Sequence, residues 1–168
     1  MNLIFKKFLK DPKNIGAIIE SSEKSAKKIA ELVNKTSTKN VVEIGGGTGI
    51  LSKFIENKDL TIIERDIDFI KLLEDRYPGT KVINECGIDF LKNYKNNYGL
   101  FTSIPLIKSS TKIELTDIIN EHIKSQQLEW FIILGYKYSD QFKGINFKNH
   151  NRHFVLSNLP PAFVWHYY

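Results

Sequence analysis

The chain has 168 residues, of which 42% are apolar and 26% charged, and a formal net charge of +5 at pH 7. At roughly 150 residues per domain this is one domain with an ordinary core, which excludes wholesale disorder and a second catalytic domain. Its single cysteine, Cys86, and four scattered histidines exclude an internal disulfide and offer no metal-ligand spacing, so no metal is expected.

The charge is unevenly placed. Residues 1–40 carry nine lysines against Asp11, Glu20, Glu23 and Glu31, whereas the rest of the chain balances fifteen basic against fifteen acidic residues. Such a patch favours phosphate backbone or anionic headgroups, or it is a solvated helix face. No run of eighteen apolar residues occurs, and lysines interrupt the apolar start, so a cytoplasmic location is expected.

Taken in chain order, Met1 to Lys10 sets Leu3, Ile4, Phe5, Phe8 and Leu9 against Lys6, Lys7 and Lys10, an amphipathic pattern broken by Asp11-Pro12. Ser21 or Ser22 suits the N-cap of a helix over Glu23 to Val33. Val41 to Ile44 reads as a buried strand running into Gly45-Gly46-Gly47-Thr48-Gly49, after which Ile50, Leu51, Phe54 and Ile55 recur at helical spacing. Leu60 to Ile63 is a second strand, and Asp68 to Arg76 a helix closed by Pro78-Gly79.

Lys81 to Asn84 and Tyr98 to Thr102 follow as strands, the latter stopping at Ser103-Ile104-Pro105. Ile113 to Ile123 is a helix with Leu115, Ile118, Ile119 and His122 or Ile123 on its apolar side, and the nearly continuous apolar run Leu128 to Leu134 is a strand buried on both faces. His153 to Leu156 and Ala162 to Tyr167 form an antiparallel hairpin around Asn158-Leu159-Pro160-Pro161. The alternation specifies a three-layer α/β fold with a mainly parallel sheet, helices on both faces and a terminal hairpin. Residues 1–40 are expected to pack as a helical segment over a ligand site carried by the core, residues 41–168.

The stretch from Glu43 through Gly45, Gly47 and Gly49 has a ligand-binding logic. Glycines admit positive backbone torsions and close approach of the main chain, and the free amides beyond them hold polar ligand groups. Glu64 closes the second strand fifteen residues after Gly49, where a carboxylate can accept both hydroxyls of a ribose. A dinucleotide fingerprint would space its third glycine one residue further on.

Glu-x-Gly-x-Gly-x-Gly resembles motif I of the class I S-adenosylmethionine-dependent methyltransferases, a Rossmann-like fold, which implies S-adenosylmethionine as cofactor held by Glu43, the three glycines and Glu64. Phe8-Leu9, Pro12, Ile15-Gly16-Ala17-Ile18 and Ser21-Ser22, then Ser103-Ile104-Pro105-Leu106, then Asn158 to Trp165 resemble three successive signatures of the bacterial phospholipid N-methyltransferases. The ribosomal RNA adenine dimethylases are similar at a greater distance. Where phospholipid methyltransferases have Gly-Asp-Ala after the third strand, this chain reads Glu85-Cys86-Gly87-Ile88-Asp89, so either Asp89 or the backbone of Cys86 and Gly87 meets the adenine.

The resemblance implies an enzyme that methylates the amine of a lipid headgroup such as phosphatidylethanolamine, with Ser103 and Pro105 framing the amine and Tyr136 offering a ring face to an ammonium group. The amphipathic start would then rest on an anionic membrane at its inner face, or pack across the cofactor site. His153 and His166 read as rim or core residues. The alternatives are an RNA adenine N6-methyltransferase, a small-molecule methyltransferase and a non-catalytic cofactor-binding module. RNA ranks below lipid on three counts: Ser103 stands in place of asparagine, Leu106 in place of a stacking aromatic, and 168 residues leave no room for the helical domain that the RNA dimethylases add.

Overall fold

The computed structural model describes residues 23–104, 109–139, 142–156 and 161–168. Seven strands form one sheet in the order β3-β2-β1-β4-β5-β7-β6: β1 (Asn40–Ile44), β2 (Asp59–Glu64), β3 (Lys81–Asn84), β4 (Tyr98–Thr102), β5 (Leu128–Gly135), β6 (His150–Val155) and β7 (Ala162–Tyr167). The first five are parallel, and β7 inserts antiparallel between β5 and β6. The chain leaves β1 towards β2 on one side and returns to β4 on the other. Such a reversal, at the carboxyl ends of β1 and β4, is where open α/β sheets form the crevice that binds ligands.

Period-two alternation decides what each face buries. Val42 and Ile44 of β1, Leu100 of β4 and Phe131 and Ile133 of β5 join one core with Leu91 of α3 (Gly87–Asn93) and Leu115, Ile118 and Ile119 of α4 (Ser109–Lys124). Val41, Phe101, Trp130, Ile132 and Leu134 point the other way, onto α1 (Glu23–Asn34). On α1, Ala26, Ile29, Ala30 and Val33 are buried at helical spacing, so one stripe of the helix seals the second layer. The described part of residues 1–40 thus packs on the sheet, while Ser21, Ser22 and the amphipathic start lie outside the described residues.

Two expected elements differ. Ile50 to Ile55 forms no helix beyond a 3-10 turn at Ser52–Phe54. Ile55 is already extended and β2 begins at Asp59, so the four apolar residues turn the chain and plug the core without room for a second turn of helix. β6 starts three residues earlier than its apolar pattern suggests, because His150, Asn151 and Arg152 occupy an exposed edge strand that needs no apolar alternation. Helix α3 goes unsignalled by periodicity: it is seven residues long and buries only Ile88 and Leu91.

The α2 helix (Ile67–Arg76) starts where the Asp66 side chain accepts from the Asp68 N–H at 3.0 Å, a cap that satisfies a first-turn amide. Its C-terminal residues then reach back to the glycine turn.

Candidate functional site

The turn after β1 is built by backbone torsion and by a carboxylate. Gly45, Gly47 and Gly49 have φ of 78°, 51° and 77°, a region that costs other residues strain. The Gly45 N–H donates to the Ile63 carbonyl at 2.8 Å and the Gly49 N–H to the Gly46 carbonyl at 2.8 Å, closing the turn onto β2. From behind, the Tyr77 hydroxyl donates to the Gly49 carbonyl at 2.6 Å and the Arg76 guanidinium to the Thr48 carbonyl.

Glu64 stands at the end of β2 with 8% of its surface exposed. Its Oε2 accepts from the Gly47 N–H at 2.9 Å, and its Oε1 accepts from the N–H groups of Arg65 at 2.8 Å and Asp66 at 2.9 Å. A carboxylate has about four acceptor positions, so three are taken by backbone and one remains on Oε2. The glycine turn and the acid, separated by fifteen residues of sequence, are therefore one hydrogen-bonded unit.

Glu43 is wholly buried. Its Oε2 accepts from the Ser52 hydroxyl, and its Oε1 has no partner among the described residues. Burial pushes its pKa up to about 8, with the nearby Glu64 charge adding to the rise. The side chain is thus largely protonated at neutral pH and presents a buried polar oxygen beside the glycine turn.

On the other side of the crevice, Thr102 at the end of β4 is fully buried and donates its hydroxyl to the Ile44 carbonyl at 2.8 Å while accepting from the Ile104 N–H at 3.1 Å. It pins the start of the β4 loop to the end of β1, and so sets where the half-buried Ser103 stands. No motif pointed to Thr102. The signal available in sequence was a hydroxyl residue closing an otherwise apolar strand.

Asn84 closes β3 and donates its side-chain amide to the carbonyls of Glu64, at 3.2 Å, and Arg65, at 3.0 Å. Cys86 is the exposed N-cap residue of α3, and Gly87 packs so closely on Ile44 that a Cβ would strike that side chain. Asp89 lies exposed in the first turn of α3. Tyr136 follows β5 at the same carboxyl edge and is 37% exposed. Pro105 and Leu106 lie outside the described residues.

Gly45, Gly47, Gly49, Glu43, Glu64 and Ser103 thus come from three neighbouring strand ends, with Tyr136 at the end of a fourth. His153 and His166 do not join them: they lie on β6 and β7, with burial holding both imidazoles below their ordinary pKa, His166 at about 4. Among the described residues no group of His, Cys, Asp or Glu could hold a metal, and no described helix is long and apolar enough to cross a membrane.

The chain matches the profile of the ribosomal RNA adenine dimethylases over residues 6–161. It is 35% identical over 92 residues to the ribosomal RNA small subunit methyltransferase A of Hydrogenobaculum sp. (strain Y04AAS1), a match covering 52% of this chain and 36% of that protein. Among solved structures it is similar to the 23S rRNA methyltransferase ErmE, with a TM-score of 0.61 at 17% identity over 85% of this chain and 66% of that one. It is also similar to a dimethyladenosine transferase from Plasmodium falciparum, with a TM-score of 0.60 at 20% identity over 85% of this chain and 60% of that one. The matched part is about a third of the length of the curated relatives.

These relatives carry ribosomal RNA in their names, which overturns the expected lipid-headgroup acceptor and the expected anionic-membrane partner. The physical reason is where the misleading motifs lie. The Ser103-Ile104-Pro105-Leu106 and Asn158-Leu159-Pro160-Pro161 stretches fall between strands of a fold that hosts many acceptors, so a likeness there reports the fold and not the acceptor. The N-terminal signature and most of these two stretches fall outside the described residues. With a profile spanning nearly its whole length and a Rossmann-like sheet carrying the glycine turn, the chain belongs to the ribosomal RNA adenine dimethylase family, class I methyltransferases whose methyl donor is S-adenosylmethionine.

Proposed function

We propose that this protein transfers methyl groups from S-adenosylmethionine to the exocyclic amine of an adenine in ribosomal RNA. The observation that carries the reading is the joint one: the family profile runs through residues 6–161, and the glycine turn with Glu64 and the Thr102-anchored Ser103 stand at the neighbouring carboxyl ends of β1, β2 and β4.

The residues fit the donor. Among the described residues Glu64 keeps one acceptor position for a ribose hydroxyl, and the buried Oε1 of Glu43 has no partner there, while the positive torsions of the glycine turn suit close main-chain approach. When bound, S-adenosylmethionine supplies a methyl carbon on a sulfonium, open to in-line attack by a nitrogen lone pair. Ser103 would offer its hydroxyl and carbonyl as acceptors for the amine protons and so aim the lone pair, with one amine proton passing to solvent as the new N–C bond forms and the S–C bond to the methyl breaks, leaving a neutral thioether. Tyr136 gives a flipped-out base an aromatic neighbour at the rim, where the loop has Leu106 and no ring of its own. Cys86, the residue before the first turn of α3, and Gly87 would meet the adenine of the donor through their backbone, with Asp89 two residues further along the helix.

The test is transfer of label from S-adenosylmethionine carrying a radioactive methyl group to unmethylated small-subunit ribosomal RNA, followed by nucleoside analysis. Methylated adenosine in the digest is the expected result. Absence of label in RNA from folded protein that binds the donor would overturn it.

A further inference from the structure

The β6–β7 hairpin carries a surface that the crevice does not use. On one face of the sheet, β6 places His150, Arg152 and Phe154 opposite Tyr167, Trp165 and Phe163 of β7. Phe154 is 55% exposed and Tyr138, just beyond β5, is 69% exposed. They are nonetheless ordered by their neighbours. Phe154 stacks on Phe163 with centroids 5.0 Å apart and planes 30° apart, and Tyr138 meets the edge of Phe163 at 5.8 Å. The Arg152 guanidinium lies 3.8 Å from the Tyr138 centroid and donates to the Tyr138 carbonyl at 2.9 Å.

An isolated exposed ring is ordinary. Two exposed rings backed by a third, one of them on an edge strand whose other exposed residues are polar, are more than the fold needs. The stretch of chain that carries them has an excess of one sign: residues 137–152 hold Lys137, Lys143, Lys148 and Arg152 against Asp140. All four basic residues are exposed. Aromatic faces set among cations are the pattern that binds unpaired nucleotides, because any base can stack and every nucleotide brings a phosphate. Rings already held by Phe163 and Arg152 lose little freedom when a base settles on them.

We propose that this outer face of the hairpin is an RNA-binding surface separate from the methyl-transfer crevice, with Tyr138 and Phe154 stacking unpaired bases while Arg152 and the flanking lysines hold phosphates. Tyr138 lies two residues beyond Tyr136, so the surface begins at the rim of the crevice and runs down β6 away from it. The surface steers a single-stranded segment next to the target adenine, and in that respect it rests on the RNA reading above.

The experiment measures fluorescence anisotropy of a labelled mixed-sequence single-stranded oligoribonucleotide of about twelve nucleotides, and of its duplex, with the full chain. Each single variant, Tyr138→Ala and Phe154→Ala, should weaken single-strand binding about fivefold or more, and the double variant about thirtyfold. Arg152→Gln should weaken it and lower the salt slope by about one. Thermal melts and calorimetric affinity for S-adenosylmethionine should match wild type, showing that the fold and crevice are intact.

A folded double variant that binds the strand like wild type overturns the surface, as does equal affinity of the wild type for duplex. Failure of the wild type to bind the strand overturns it too, and so does a change confined to self-association or to vesicle binding. The two readings part cleanly. Loss of strand binding in the double variant without label transfer by wild type upholds the surface and sinks the methylation reading, whereas label transfer with unchanged strand binding does the reverse.

Discussion

The β1–β2 rim and the β6–β7 hairpin are held by opposite means. At the rim, hydrogen bonds dominate: Glu64 alone takes three backbone N–H groups, and Thr102 ties β4 to β1. The hairpin is held by ladder pairing and by stacked rings, and leaves three buried polar atoms, on His153, Trp165 and His166, without a partner among the described residues. Directional bonds fix a shape to within fractions of an ångström, which cofactor chemistry requires. Stacked faces adapt to whatever lies on them.

The sharpest way to break the rim is Glu64→Ala. Three backbone N–H groups lose their acceptor and the donor ribose loses its partner, so calorimetric affinity for S-adenosylmethionine should fall about tenfold to several hundredfold. An unchanged affinity would show that Glu64 only braces the turn.

Glu43→Gln should come next, and it acts through pH. The folded-state pKa of about 8 lies above the ordinary 4.5, so between those limits the folded chain keeps a proton that the unfolded chain releases. Stability from this group is complete below pH 4.5 and drains away as pH rises through 8. Urea melts of the glutamine variant should lose that slope and gain on the order of a few kcal/mol at pH 8.

Thr102→Val should cost about 1–3 kcal/mol by orphaning the Ile44 carbonyl and the Ile104 N–H. Because it frees the Ser103 loop and leaves Glu64 in place, turnover should drop about tenfold while donor affinity holds, and an equal fall in both would undo the distinction.

On the hairpin side, His166→Phe tests acid sensitivity. Its imidazole is pushed down to about 4 from 6.5 by burial, with His153 adding repulsion, so its contribution is present above pH 6.5 and is lost as pH falls through 4. The phenylalanine variant should flatten that acid limb by about 1–2 kcal/mol, discounted for partial exposure, as read from melts at pH 7 and pH 4.5. The smallest effect belongs to Phe154→Ala, whose melting free energy should stay within about 0.5 kcal/mol of wild type.

Much of this fold is legible in sequence because burial on both faces leaves a plain mark. β3 and β4 fall on their expected residues, and β5 extends its apolar run by Gly135 alone. Where burial is one-sided or brief the mark fades, as in α3, the 3-10 turn and the polar start of β6. The glycine turn and Glu64 are readable because each is a local anomaly, glycines in a row and an acid ending an apolar strand. Thr102 and the Glu43–Ser52 contact are not, since their roles exist only once β1, β4 and the turn are adjacent. The methyl acceptor is not legible for a related reason: short motifs shared by enzymes of one fold report the fold, whereas an acceptor is recognised by a whole surface that no short motif records.

The position of β7 has a consequence for how the chain is made. β6 pairs with β7 and with no other described strand, and β7 also supplies the outer partner of β5. During synthesis β6 therefore emerges before it has a place in the sheet, and β5 waits with a bare apolar edge until Ala162–Tyr167 slides in between them. A ribosome stalled before that point would hold a nascent chain with two unsatisfied strand edges, the form most open to chaperones and to aggregation.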